Sequence, residues 1–150
     1  IHLFGGTIKQ NILGIHKFID DEWMLECSKI SGTDEFVRMH PAGYDMPLGE
    51  RGSGLSGGQR QSVGIARALI NNSDIWMFDE PTNAMDQTSE SIVLNNLMSK
   101  VEGKTLLLVT QKMSMVDLVD RIIVMNFGSK VLDGPKDEII NKLGNSGEKQ

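Results

Sequence analysis

A change of pattern after Asn71 and Asn72 limits this chain to few folds. From there the sequence reads as short, wholly apolar runs separated by helical segments. Residues 75–78 form the first run and residues 105–109 the second. Between them, over residues 89–101, Val93, Leu97 and Val101 recur four apart, on one face of a helix. Strands this uniformly apolar, joined through a helix, are how a parallel sheet covered on both faces appears in sequence. The expectation is an α/β fold. Residues 122–125 and 130–132 then flank Asn126-Phe127-Gly128-Ser129, a turn suited to an antiparallel hairpin. Residues 137–143 read as a last short helix, followed by a frayed tail from Gly144.

The earlier half has a different character. Residues 9–39 are polar and helical in tone. Asp20, Asp21 and Glu22 open a segment in which Trp23, Met24, Cys27 and Ile30 fall at helical spacing. Gly32 ends it, residues 33–39 form another short helix, and Pro41, Gly43 and Pro47 supply turn chemistry. Residues 49–58 hold five glycines. A helix over residues 59–70 follows, with Val63, Ala66 and Ile70 on one face. The expected division is residues 1–54, a helical subdomain, and residues 55–150, the start of that helix and the sheet-bearing remainder.

Chemistry is concentrated at four places. In Leu55-Ser56-Gly57-Gly58-Gln59-Arg60-Gln61, Ser56 is placed to cap the helix, and Gly57 and Gly58 let backbone N–H groups approach an anion where the helix dipole favours negative charge. A lone Gly-Gly more often just starts a helix. Second, the run at residues 75–78 ends in Asp79-Glu80, two carboxylates at the strand end where α/β sheets bind ligands. Alone, that pair fits an ordinary strand-to-loop transition equally well. Third comes Pro81-Thr82-Asn83-Ala84-Met85-Asp86, whose Asp86 is placed to cap the next helix. Fourth, Gln111 follows the second apolar run. Gly103-Lys104-Thr105 imitates the end of a phosphate loop, but Met98 stands where the first glycine belongs and the segment precedes a strand.

The whole heptapeptide from Leu55 to Gln61 matches the signature motif of ABC ATPases, and Glu80 lies nineteen residues beyond it. Gly49-Glu50-Arg51-Gly52 is similar to the exporter-type linker, which touches the membrane domain's coupling helices. His40-Pro41-Ala42-Gly43-Tyr44-Asp45 and the opening Leu3-Phe4-Gly5-Gly6-Thr7-Ile8-Lys9-Gln10-Asn11-Ile12 also resemble this family, most closely its type I protein-secretion branch. The resemblance covers nearly the entire chain. It implies a partial P-loop NTPase fold: a helical subdomain plus the later part of a mainly parallel sheet with flanking helices.

The resemblance also implies roles. Ser56, Gly57, Gly58 and Gln59 bind the nucleotide of a partner copy in a head-to-tail dimer. Asp79 holds Mg²⁺ through water, and Glu80 orients or deprotonates the attacking water. Asp86 belongs to the D-loop that links the two ATP sites, alongside its cap. Gln111 stands where the family has a histidine that contacts the γ-phosphate. A glutamine amide donates a hydrogen bond but carries no positive charge, so slower hydrolysis is expected. The cofactors implied are ATP and Mg²⁺. The activity implied is ATP hydrolysis coupled to export of a protein or peptide. The implied partners are a second ATPase domain and an exporter's transmembrane domain on the same polypeptide, at the cytoplasmic face of the inner membrane. Two other readings stay open: a non-catalytic regulatory or assembly module, motivated by Gln111 and by the absence of a P-loop, and a non-transport ABC ATPase.

None of these 150 residues forms a Walker A motif. The isolated chain is therefore expected to grip ATP weakly and to be inactive alone, since backbone cradle and lysine supply most of the phosphate grip. With Ile1 in place of an initiating methionine, a longer polypeptide is the expectation. Fifteen basic against twenty acidic residues give a net charge of −5, with no basic stripe, so no nucleic-acid partner is expected. No apolar run approaches the ~18 residues of a membrane span. Cys27 has no cysteine to pair with, which suits a reducing compartment. Cys27 and most of the nine methionines are expected in the core, and His2, His16 and His40 lack metal-site spacing. Arg60 and Arg67 share one helix face, suited either to contact with nucleotide or partner or to solvent.

Overall fold

A computed structural model describes residues 2–16 and 19–147. The fold is α/β, in two compact units that divide between Val109 and Thr110. The boundary expected at residues 54 and 55 falls within the first unit.

The first unit opens on a short strand β1 (Gly6–Thr7) and helix α1 (Ile8–Leu13), which Thr7 and Gln10 start as a reciprocal capping box. Helix α2 (Asp21–Ile30) begins at Asp20, whose side chain accepts from the Glu22 amide, and α3 (Thr33–Val37) follows Gly32 in the left-handed conformation. Strand β2 (Pro47–Leu48) pairs antiparallel with β1, and a 3₁₀ turn over Glu50–Gly52 leads to helix α4 (Gly57–Leu69). The turn requires its glycine. Gly52 has φ 71°, and a Cβ there would lie 2.8 Å from Leu3 Cδ1.

Helix α4 is the centre of this unit, packed by α1, α2 and α3. Its face of Val63, Ile65, Ala66 and Leu69 is buried, as are Ile8, Ile12, Met24, Cys27, Ile30 and Val37 from the elements around it. Polar ties set the packing. The Trp23 indole donates to Ile70 O at 2.9 Å, and Asn96 on helix α5 (Gln87–Met98) donates to Lys29 O at 2.9 Å. Asn11 is fully buried and fully used: it donates to Phe4 O and Thr7 O and accepts from Phe4 N and from Arg67 Nη2. Arg67 also donates to Asn11 O and His2 O, and its guanidinium lies over the Phe4 ring. Of the two options for Arg67, the structure takes neither. It clamps its own chain, with burial lowering its pKa.

Strands β3 (Ile75–Asp79) and β4 (Thr105–Val109) pair in parallel and in register, Ile75 opposite Thr105 and Asp79 opposite Val109. Here one expectation needs correcting. The runs are wholly apolar, yet in β3 only Trp76 and Phe78 are buried. Ile75, Met77, Leu107 and Val109 stay more than half exposed. Side chains alternate across a strand, so helices on one face leave every second residue open. A similar correction applies to the methionines: Met24, Met85 and Met115 are buried, but Met39, Met77, Met98, Met113 and Met125 are exposed.

The second unit contains a 3₁₀ segment (Met113–Leu118) and an antiparallel hairpin of β5 (Arg121–Asn126) and β6 (Ser129–Pro135), with a register shift between Val124 and Met125. Helix α6 (Lys136–Gly147) then packs on both strands. It passes the point where fraying was expected. Residues 148–150 of that tail lie outside the described residues.

Candidate functional site

Helix α4 starts where the glycine loop predicts. Ser56 is its N-cap, with Oγ accepting from the Gln59 amide at 3.2 Å, while the Gln59 side chain accepts from the Ser56 amide at 2.9 Å. This box holds two donors and leaves the amides of Gly57 and Gly58 in the turn whose N–H groups have no partner within a helix. The Ser56 hydroxyl accepts in the cap, so its own proton remains available to a ligand.

The same two glycines serve a second purpose that spacing could not reveal. A Cβ on Gly57 would lie 3.0 Å from Ala84 Cβ, and one on Gly58 would lie 3.1 Å from Ala84 O. The start of α4 therefore rests on the backbone that follows the two carboxylates. A groove of about 280 Å³ opens beside this contact, lined by Ser56, Gly58, Gln59, Ala84 and Asp86 among others. It brings together the first and third of the four places singled out in the sequence.

Asp86 caps α5, accepting from the Ser89 amide and hydroxyl at 2.9 Å each. The Ser89 amide bond, first, and then its hydroxyl hold the Asp86 carboxyl below its ordinary range. Asp79 ends β3, exposed, and Glu80 turns the chain away with φ 45°. The Glu80 amide continues the ladder to Val109 O at 2.9 Å. Among the described residues neither carboxylate takes a protein partner, and neither lines the groove. Both stay open to a ligand.

Magnesium holds one or two carboxylates and fills its octahedron with water and phosphate oxygens. An exposed Asp79 beside Glu80 fits that requirement, and no group of three or more potential metal-ligating side chains exists among the described residues to suggest an all-protein site. Gln111 belongs to the second unit, exposed at a bend just ahead of the 3₁₀ segment.

Sequence reasoning passed over Gln61. Its side chain donates to Glu80 O at 3.1 Å and accepts from the Ala84 amide at 2.7 Å. The only signal was its place as the last residue of the heptapeptide, a polar side chain one turn into the helix. Arg60 likewise serves its own chain, donating to Leu55 O at 2.6 Å.

The family model described as "ABC transporter" matches residues 7–83. The leukotoxin translocation ATP-binding protein LktB of Pasteurella haemolytica-like sp. (strain 5943B) is 39% identical over 138 residues, 92% of this chain and 20% of that protein. The leukotoxin export ATP-binding protein LtxB of Aggregatibacter actinomycetemcomitans is 38% identical over the same share of each. The chain thus spans about a fifth of the length of these relatives. The solved structure of a bacterial Atm1-family ABC exporter with ATP bound superposes with a TM-score of 0.87 at 30% identity, covering 94% of this chain and 25% of that one.

Proposed function

The chain belongs to the ABC transporter family, and from that premise we propose that it is the later portion of an exporter's ATPase, driving export of a protein or peptide by type I secretion. One observation carries the reading. The capped, anion-facing start of α4 is packed directly on the loop that follows Asp79 and Glu80, yet those carboxylates do not open into the groove that the α4 start lines. Phosphate-facing amides and carboxylates that face different spaces suit a site completed between two copies, each giving Ser56, Gly57, Gly58 and Gln59 to the other's nucleotide.

In that arrangement the Gly57 and Gly58 amides and the Ser56 hydroxyl hold phosphate oxygens, with the helix dipole favouring their charge. Glu80 orients the attacking water and accepts its proton. Asp79 holds Mg²⁺, which when bound neutralises charge developing on the phosphates. Asp86 fixes the loop that meets the partner copy, and Gln111 donates to a γ-phosphate oxygen without adding charge. We assign residues 1–54 as the helical part with the linker at Gly49 to Gly52, and 55–150 as the hydrolytic part. The proposed partners are a second such domain and a transmembrane domain of the same polypeptide, which places the chain at the cytoplasmic face of the membrane. No described helix is long and apolar enough to cross a membrane itself.

The test is Mg-ATP hydrolysis by the complete polypeptide. Activity that collapses in Glu80→Gln supports the motor. A folded, dimeric, complete protein without hydrolysis favours the second reading, a regulatory module, for which the histidine position held by Gln111 is the motivating observation.

A further inference from the structure

We propose that Gln61 is a positioning residue that fixes the backbone of Glu80 and ties it to the start of α4; this rests on the reading of Glu80 as the group that orients water. Glu80 has φ 45°, a conformation that residues with a Cβ adopt at a cost and keep only when their surroundings over-determine it. The over-determination here is visible. The Glu80 amide is held by Val109 O, and its carbonyl accepts from the Asn83 amide at 3.3 Å and from Gln61 Nε2 at 3.1 Å. The shorter of the two bonds to that carbonyl comes from a side chain on another element.

The other end of the same amide accepts from Ala84 N at 2.7 Å. Only one orientation of a carboxamide satisfies both neighbours, since the carbonyl needs a donor and the N–H an acceptor. Ala84 is also the residue on which Gly57 and Gly58 rest. One planar group thus links the start of α4, the loop after the carboxylates and the strained residue that aims Glu80. A displacement of the α4 start by a ligand is passed to Glu80 through Ala84 and Gln61. The direction of the Glu80 side chain follows from its backbone dihedrals, so loosening the fork misaims the carboxylate, leaving the residues that hold phosphate in place.

The experiment uses the complete polypeptide and steady-state ATP hydrolysis. Gln61→Met removes both hydrogen bonds at similar length, and Gln61→Glu keeps the acceptor for Ala84 but loses the donor to Glu80. Each should lower kcat by about tenfold or more with KM for ATP within about twofold, as misplacement of a reacting group does. In a Glu80→Gln background neither should cause a further loss, because the effect passes through Glu80. If Gln61→Met does not fold, Gln61→Glu decides alone. Wild-type kcat in Gln61→Glu beside a collapsed Glu80→Gln overturns the inference. An equal loss in both backgrounds overturns it too, by showing a general structural effect. Full activity in Glu80→Gln removes the reading of Glu80 itself, and the inference goes with it.

Discussion

Around α4 the polar groups are tied down, whereas at the end of β3 the carboxylates and a row of apolar side chains are left open. Asn11 uses both donors and both acceptor positions, and Arg67 reaches three oxygens and an aromatic face. Both regions lie in the same compact unit. The difference lies in what each must do. Buried polar groups without partners are costly, so a packing centre must satisfy them all. A site that meets a ligand must keep its donors and acceptors unspent. In this unit the packing and the proposed chemistry therefore rest on different residues, and the contact of Gly57 and Gly58 with Ala84 is where they meet.

The comparison breaks most readily at Glu80. Replacing it with Gln should reduce hydrolysis by the complete polypeptide roughly 10²–10⁴-fold and leave the thermal midpoint where it was, because among the described residues its carboxylate holds nothing. A falling midpoint would mean that the open carboxylate is part of the packing after all. Asn11→Ala should do the reverse, destabilising the unit by about 3 kcal/mol in denaturant unfolding, since it strands Arg67 and the Phe4 amide. Little change there would show that water replaces the carboxamide.

Gln111→His sharpens the chemical side. It should raise kcat by about tenfold, the contribution of a charge-bearing donor at the low end of acid–base catalysis. It should also introduce a fall in activity as pH rises through the imidazole range, where the cation is lost. An unchanged rate would take Gln111 out of the reaction. Met77→Ala tests the open face: exposed at 68%, it should shift unfolding of this chain by no more than about 0.5 kcal/mol. Ile65→Ala, fully packed on α4, should cost about 2–5 kcal/mol.

The smallest effect is expected in the second unit. Hydrogen bonds from Arg121 and Lys130 hold the Asp133 carboxyl down at about 2. A depressed carboxyl stabilises above the ordinary carboxylate range and stops doing so as pH falls through its folded value. Hairpin stability should therefore drop slightly between about pH 4 and pH 2. The Arg121 and Lys130 side chains are largely exposed, so salt should erase much of the difference.

Much of this was readable in advance. The caps at Asp20, Ser56 and Asp86, the parallel pair of residues 75–79 and 105–109, and the hairpin after Asp120 all sit where local chemistry places them. Capping residues and apolar runs act within a few positions of themselves, which is why they show. The open face of β3 did not show, since an apolar run does not say how many of its faces find cover. The exposed methionines were misjudged for the same reason. The fate of Arg67 was illegible because its partners at His2 and Asn11 lie 65 and 56 positions away.

The sequence by itself determined the family, the element order and the residues proposed to carry the chemistry, because motifs and periodicities are local and each residue type permits only certain reactions. Tertiary structure alone decided that the glycines of the anion loop also admit the Ala84 backbone, that Gln61 grips Glu80, and that among the described residues the carboxylates of Asp79 and Glu80 take no partner. Those facts depend on which atoms distant segments bring within a few ångströms of one another, and spacing along a chain does not encode that.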